Sequence, residues 1–194
     1  MAFASSDEVL AAVLSREYAD YRHAPDIEAR AAFLSPHCRQ ICRPHPSYGA
    51  SDRRAILEFL YEASGERPYD KTPTPIQQVL QSQADVPPGA KAYYTIRPLK
   101  QGELSFGNVP GDPVRGFMDS ETMMDMAVDR KWVGMRVDMW TDGGAGKGGE
   151  KLGLLVKVQY WWTKEHDKWA QIAHDIMYLG SRDGSEGVNG EILQ

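Results

Sequence analysis

The chain has 194 residues, 42% of them apolar and 25% charged, with a formal net charge of −5. That length fits one domain with a substantial core, whereas two domains would each be small. Lys and Arg are scattered and never run longer than two, which argues against the basic patch of a nucleic-acid binder, and no apolar run approaches the ~18 residues of a membrane span. The opening MAFASSDEVLAAVLSREY lacks a basic leader and turns acidic early, a poor secretory signal, so the expected location is the cytoplasm.

Residues 5–23 place Val9, Leu10, Val13, Leu14, Tyr18 and Tyr21 at helical spacing, with Ser5 and Glu8 as a capping box. Pro25 and Asp26 interrupt this helix and start a shorter one through Leu34, which Pro36 ends. A short strand from His37 to Arg43 follows, stopped by Pro44 and Pro46. Ser51 is the expected cap of a third helix, whose buried stripe is Ile56, Phe59, Leu60 and Ala63. Residues 64–75 are rich in Pro and Gly and predict a loop. Strands are expected at 76–82 and 91–97, around a turn at Pro87–Pro88–Gly89. Residues 98–118 predict an excursion over the surface, and Asp119 or Ser120 caps a helix through about Arg130.

The last part carries the strongest pattern. Three strands near 132–141, 152–163 and 168–179, joined by a glycine-rich loop and a tight turn at His166–Asp167, make an antiparallel meander. Strict alternation assigns one face to Val133, Met135, Val137, Met139, Leu154, Val156, Val158, Tyr160, Trp162, Ile172, His174, Ile176 and Tyr178. That face is apolar and must meet the helices. The other holds Arg136, Asp138, Trp140, Lys157, Gln159, Trp161, Gln171, Asp175 and Met177, which suits solvent or a wet subunit interface. Two exposed indoles, Trp140 and Trp161, predict a homodimer or homotrimer through this outer face.

Three N-terminal helices, a short strand and a long curved meander follow one another in an order that resembles the nuclear-transport-factor-2-like cone. This is the fold of ketosteroid isomerase, scytalone dehydratase and the SnoaL-like polyketide cyclases. The resemblance implies an α+β, cone-shaped single domain over residues 1–180, with N-terminal helices on the concave face of a curved, mainly antiparallel sheet. It implies an insertion near 98–131 and leaves 181–194 as a flexible tail. Glu17-Tyr18-Ala19-Asp20, the helix ending at Pro36, Arg39 and Arg43 on the next strand, and Trp169 are similar to scytalone dehydratase in particular. Its catalytic set is not retained: Arg22-His23 stands where that family has a Tyr-Asp pair, Cys42 where it has a tyrosine, Gln78 and Tyr94 near its two histidines, and Val156 and Val158 at its polar pair.

The resemblance thus implies a pocket for a small hydrophobic, oxygenated molecule, with proton-transfer chemistry of dehydratase, isomerase or cyclase type and no cofactor. His174 is the candidate base, since an imidazole titrates near neutrality and burial favours its neutral form; the bland alternative is a core histidine satisfied by a neighbour. Tyr160 and Tyr94 are candidate hydrogen-bond donors to an oxyanion. His23 is either a second polar group or a surface residue at a helix C-terminus. Tyr18, Cys42, Gln78, Met135, Val137, Val156, Val158, Trp162, Ile172 and Tyr178 are the expected substrate-binding positions. The alternative function is a non-enzymatic binding or oligomerisation module of the same fold.

Two motifs are set aside. Cys38 and Cys42, on a strand, lie about 13 Å apart, beyond disulfide reach, and the run from His37 to His45 matches no zinc spacing, so no metal site is expected. The G-x-G-x-x-G at Gly144, Gly146 and Gly149 precedes a strand instead of a helix and predicts a hairpin loop.

Overall fold

In the computed structural model, which describes residues 5–64, 91–108, 119–143, 153–186 and 190–193, helix α1 (Ser6–Arg22) begins at the capping box its sequence predicts. Ser5 Oγ accepts from the Glu8 amide at 3.2 Å, and the Glu8 carboxylate accepts from the Ser5 amide at 2.7 Å. Asp26 caps α2 (Ile27–Ala31), which is shorter than expected because strand β1 (Leu34–Cys42) already starts at Leu34. Pro36 disfavours helical backbone at the residue before it, and Leu34 is free to pair with Gln171. Helix α3 (Arg53–Ser64) is capped by Asp52, whose Oδ1 accepts from the Ala55 amide at 2.9 Å, and not by Ser51.

Strands β2 (Ala92–Pro98), β3 (Val133–Thr141), β4 (Leu154–Glu165), β5 (Lys168–Ser181) and β6 (Glu191–Leu193) join β1 in one sheet of order β1-β5-β4-β3-β2-β6. Only β1 and β5 run parallel. His166 and Asp167 both take left-handed φ values, 45° and 68°, which suits the twist of a two-residue hairpin turn. Helix α4 (Ser120–Asp129) is capped by Asp119. Of the loop expected at 64–75 only Ser64, the last residue of α3, is described; the strand at 76–82, the turn at 87–89, residues 109–118 of the excursion and most of the glycine-rich loop lie outside the described residues.

The sheet has two covered faces. On one, Leu14, Tyr18 and Tyr21 of α1 and Ile56 of α3 pack against Met135, Val137, Val158, Tyr160, Trp162 and Ile176. On the other, Met123 and Ala127 of α4 join Phe106, Ile41, Trp161, Ile172 and Ala173. Strict alternation fails twice along β5. Trp161 pairs with Ala173 but Trp162 with Gln171, so Ile172 is an extra residue; Lys157 pairs with Tyr178 but Val158 with Ile176, so Met177 is another. Each is a bulge that puts two successive β5 residues opposite one of β4. Ile172 therefore moves to the α4 face, and Gln171 turns inward. Tyr178 joins Lys157, whose ammonium lies 5.0 Å from its ring, and Leu179 takes the inward place. Both Ile172 and Tyr178 are thus corrected from the expected pocket face.

The expected exposure of Trp140 and Trp161 is also corrected. Trp161 is 2% exposed beneath the Phe106 ring, with centroids 4.7 Å apart. Trp140 is 6% exposed; it stacks on Tyr93 at 5.8 Å and meets the backbone of Gly190, where a Cβ would come within 2.5 Å of its ring. Neither indole is free for a second subunit, because the chain's own excursion and C-terminal segment cover them. The described residues of the segment expected as a flexible tail make defined contacts. β6 pairs with β2, Tyr94 donates to the Glu191 carboxylate, Arg182 holds the buried Glu186 at 2.8 Å, and Lys157 holds Asp183 at 2.7 Å.

A buried carboxylate fastens the excursion to the sheet. Asp175, fully buried on the α4 face, accepts from Arg43 Nε at 2.9 Å and Nη2 at 2.8 Å, and from the Gly107 amide at 2.6 Å. Gly107 permits this approach, since a Cβ there would stand 2.7 Å from the Arg43 side chain. Removing one partner of such a pair strands the other. Asp175→Ala is expected to cost about 3 kcal/mol, the low end of the range because Arg43 is one-third exposed. Urea unfolding measures it, and trypsin should cleave near Lys100 faster in the variant.

Candidate functional site

Between α1, α3 and the inner sheet face lies a cavity of about 310 Å³, at the lower end of the range for small-molecule sites. Helix α1 contributes Tyr21 and Arg22, and α3 contributes Ile56, Phe59 and Leu60. β1 and the turn after it contribute Gln40 and Tyr48. The sheet supplies Met139, Thr141, Leu154, Val156, Val158, Tyr160, His174, Ile176 and Leu179. The described wall is mainly apolar, with Arg22, Gln40, Thr141 and His174 among its few polar groups.

His174 is at the centre of these. The first β5 bulge turns both Gln171 and His174 inward, and Gln171 Oε1 lies 2.7 Å from His174 Nε2. With Gln171 Oε1 as the acceptor, Nε2 is the donor and Nδ1 keeps its lone pair. Cys38 Sγ lies 3.8 Å from the same Nε2, and the Tyr160 ring meets the imidazole edge-on at 4.7 Å. Burial among these groups lowers the His174 pKa from 6.5 to about 3, because the charged form loses its hydration. The imidazole is neutral throughout the physiological range.

The phenols are held in the opposite sense, as protonated donors. Burial pushes Tyr18 up to about 12 and Tyr160 well above its ordinary value, with neighbouring phenols adding to the second. Tyr18, Tyr94 and Tyr160 interlock edge-to-face around Tyr18, with centroids 5.2 and 5.1 Å away. The Tyr18 hydroxyl points at Met139 Sδ, 3.2 Å distant, and Tyr94 is committed to Glu191.

Of the expected catalytic residues, His174 and Tyr160 come together on the cavity wall. Tyr94 is buried beside Tyr18 behind it, and His23 is exposed at the end of α1, its Nδ1 2.8 Å from the Ala19 carbonyl. Of the expected binding residues, Val156 and Val158 line the cavity. Tyr18, Cys42, Met135, Val137 and Trp162 belong to the adjoining core, and Gln78 is outside the described residues. Burial raises the Cys42 thiol to about 11, which leaves it a poor nucleophile.

The sequence reading passed over Arg22, Gln40 and Gln171. Arg22 had a usable signal, since it follows Tyr18 by four residues and shares that helix face. Gln171 had none, because a bulge of one residue leaves no mark in the alternation. Among the described residues no three His, Cys, Asp or Glu side chains converge as a metal site would require, and no described helix is long and apolar enough to cross a membrane.

The buried imidazole has a consequence for stability. In the unfolded chain His174 gains a proton below pH 6.5, whereas in the fold it does so only near 3, so stability is lost as pH falls through that window. At pH 4.5 the loss from this one group is about 2–3 kcal/mol. Urea unfolding at pH 7.5 and 4.5 should show wild type losing that much more than His174→Gln.

Known proteins place the chain. A family model described as "SnoaL-like domain" matches residues 3–194. Among solved structures, the chain is similar to a ketosteroid isomerase-like protein from Erwinia carotovora atroseptica (11% identity, 91% of this chain and 99% of that one, TM-score 0.41). It is also similar to a cystatin-like-fold protein of unknown function from Nostoc punctiforme (9% identity, 94% and 97%, TM-score 0.43). A third is the beta subunit of benzoate 1,2-dioxygenase from Burkholderia mallei (10% identity, 91% and 91%, TM-score 0.43). No curated protein matches the sequence. The family match runs over nearly the whole chain, and the protein, an α+β domain, belongs to the SnoaL-like domain family.

Proposed function

We propose that the chain is an enzyme acting on a small hydrophobic, oxygenated molecule by proton transfer, with His174 as the general base. The observation that carries this reading is a neutral imidazole on the wall of an apolar cavity, its Nε2 tied to Gln171 and its Nδ1 lone pair unspent. A core histidine with only a packing role has no need of a cavity at its edge.

The chemistry follows from the groups present. Nδ1 removes a proton from a carbon beside a carbonyl, and the electron pair of that C–H bond moves onto the carbonyl oxygen as an enolate. Burial disfavours the imidazolium that results, and the enolate formed beside it offsets that cost, so the two charges arise as a pair. The Tyr160 phenol, kept protonated, supports a donor role toward the oxygen. Isomerisation returns the proton to a different carbon. Dehydration delivers it to a departing hydroxyl, and cyclisation uses the carbanion against a second carbonyl. Tyr94 and His23 take no part in this scheme, since one hydroxyl is bound to Glu191 and the other side chain stands outside the cavity. Side chains alone carry each step, which is the sense in which the proposal is cofactor-free.

Exchange of the α-protons of 2-tetralone for deuterium, followed by NMR in heavy water, tests the base without knowledge of the natural substrate. Wild type should accelerate exchange, and His174→Gln should reduce the rate about 100-fold or more, with Tyr160→Phe falling less. A folded His174→Gln variant that exchanges as fast as wild type would instead favour the binding-module reading.

A further inference from the structure

Arg22 is the one charged side chain among the described residues lining the cavity, and none of them is acidic. Its Nε is buried without a hydrogen-bond partner. Its charge is surrounded by the phenols of Tyr18, Tyr160, Tyr21 and Tyr94, and burial holds each of these protonated. A guanidinium stays charged at any physiological pH and presents its N–H groups as a planar fork suited to a carboxylate. The last turn of a helix favours a cation, and Arg22 occupies that turn. An arginine pointing into solvent would satisfy the dipole equally well, so the dipole does not explain an Nε turned out of water beside a cavity.

We propose that Arg22 is the receptor for an ionised carboxylate on the substrate, so that the molecule taken by this site is a hydrophobic acid. Its ring system packs against Val156, Val158, Ile176 and Leu179, its carboxylate pairs with the terminal nitrogens of the guanidinium, and its enolisable carbon faces His174. The one cation on the described wall gives the apolar site both orientation and selectivity, because a neutral isostere leaves the guanidinium unpaired. This deepens the acid/base reading of the same cavity and rests on it, but the two fail separately.

Isothermal titration of the full chain with 2-naphthoate and with its neutral counterpart 2-naphthamide tests the assignment. Wild type is expected to bind the naphthoate about tenfold or more tighter than the amide. Arg22→Met should bind both at the amide's affinity, and Arg22→Lys should keep part of the difference. His174→Gln should keep the whole preference even where deuterium exchange is lost, which separates this proposal from the choice of base. Equal affinities in wild type, or no detectable naphthoate binding at millimolar concentration, would overturn it. So would a preference that survives in Arg22→Met or, should that variant not fold, in Arg22→Gln.

Discussion

Strand β5 carries two residues more than β4 requires, Ile172 and Met177, and the ladder absorbs each as a bulge. Between them, Ala173 to Ile176 alternate normally, so His174 and Ile176 face the helices while Asp175 faces α4. Outside them the phase is reversed. Gln171 is thereby brought to the same side as His174 across three positions, a spacing that an unbroken strand would place on opposite sides. Without the first bulge the imidazole would lose its Nε2 partner. Without the second, Tyr178 would project into the cavity where Leu179 now stands.

Two layers of packing hold this strand in place, and they serve different ends. On the α4 face, Asp175 gathers Arg43 and the Gly107 amide, and Phe106 covers Trp161. These contacts fix the outer side of β5 as firmly as a core. On the inner face the packing is interrupted by the cavity, and the electrostatics there are unusual in a consistent way. Burial leaves the base uncharged and the phenols protonated, so Arg22 holds the only full charge on the described wall. A low-dielectric site with one fixed cation and one neutral base favours the formation of negative charge on whatever it holds.

Much of this was legible in the residues. The capping box at Ser5 and Glu8, the helical stripe of Tyr18 and Tyr21, and the alternation from Met135 to Val158 gave the helices, the meander and its inward face, and with them the pair His174 and Tyr160. The errors have local causes. Ile172 and Tyr178 were misassigned because alternation has no means of registering an inserted residue. Trp140 and Trp161 looked like subunit contacts because their covers, Tyr93, Gly190 and Phe106, come from distant parts of the chain. The C-terminal segment looked loose because its polar composition conceals ion pairs such as Arg182–Glu186 and a three-residue strand. Arg22 was read as the replacement of a missing catalytic pair, when its position four residues after Tyr18 already put it on the buried face.

The proposed chemistry depends most on the protonation state that Gln171 and burial impose on one ring. Nitrogen-15 NMR of the His174 imidazole, assigned by comparison with His174→Gln, reads it directly. At pH 7 and again at pH 5 the ring is expected to be neutral, with the proton on Nε2 and an unprotonated Nδ1. An imidazolium already formed at pH 6, or a neutral ring with its proton on Nδ1, would contradict it.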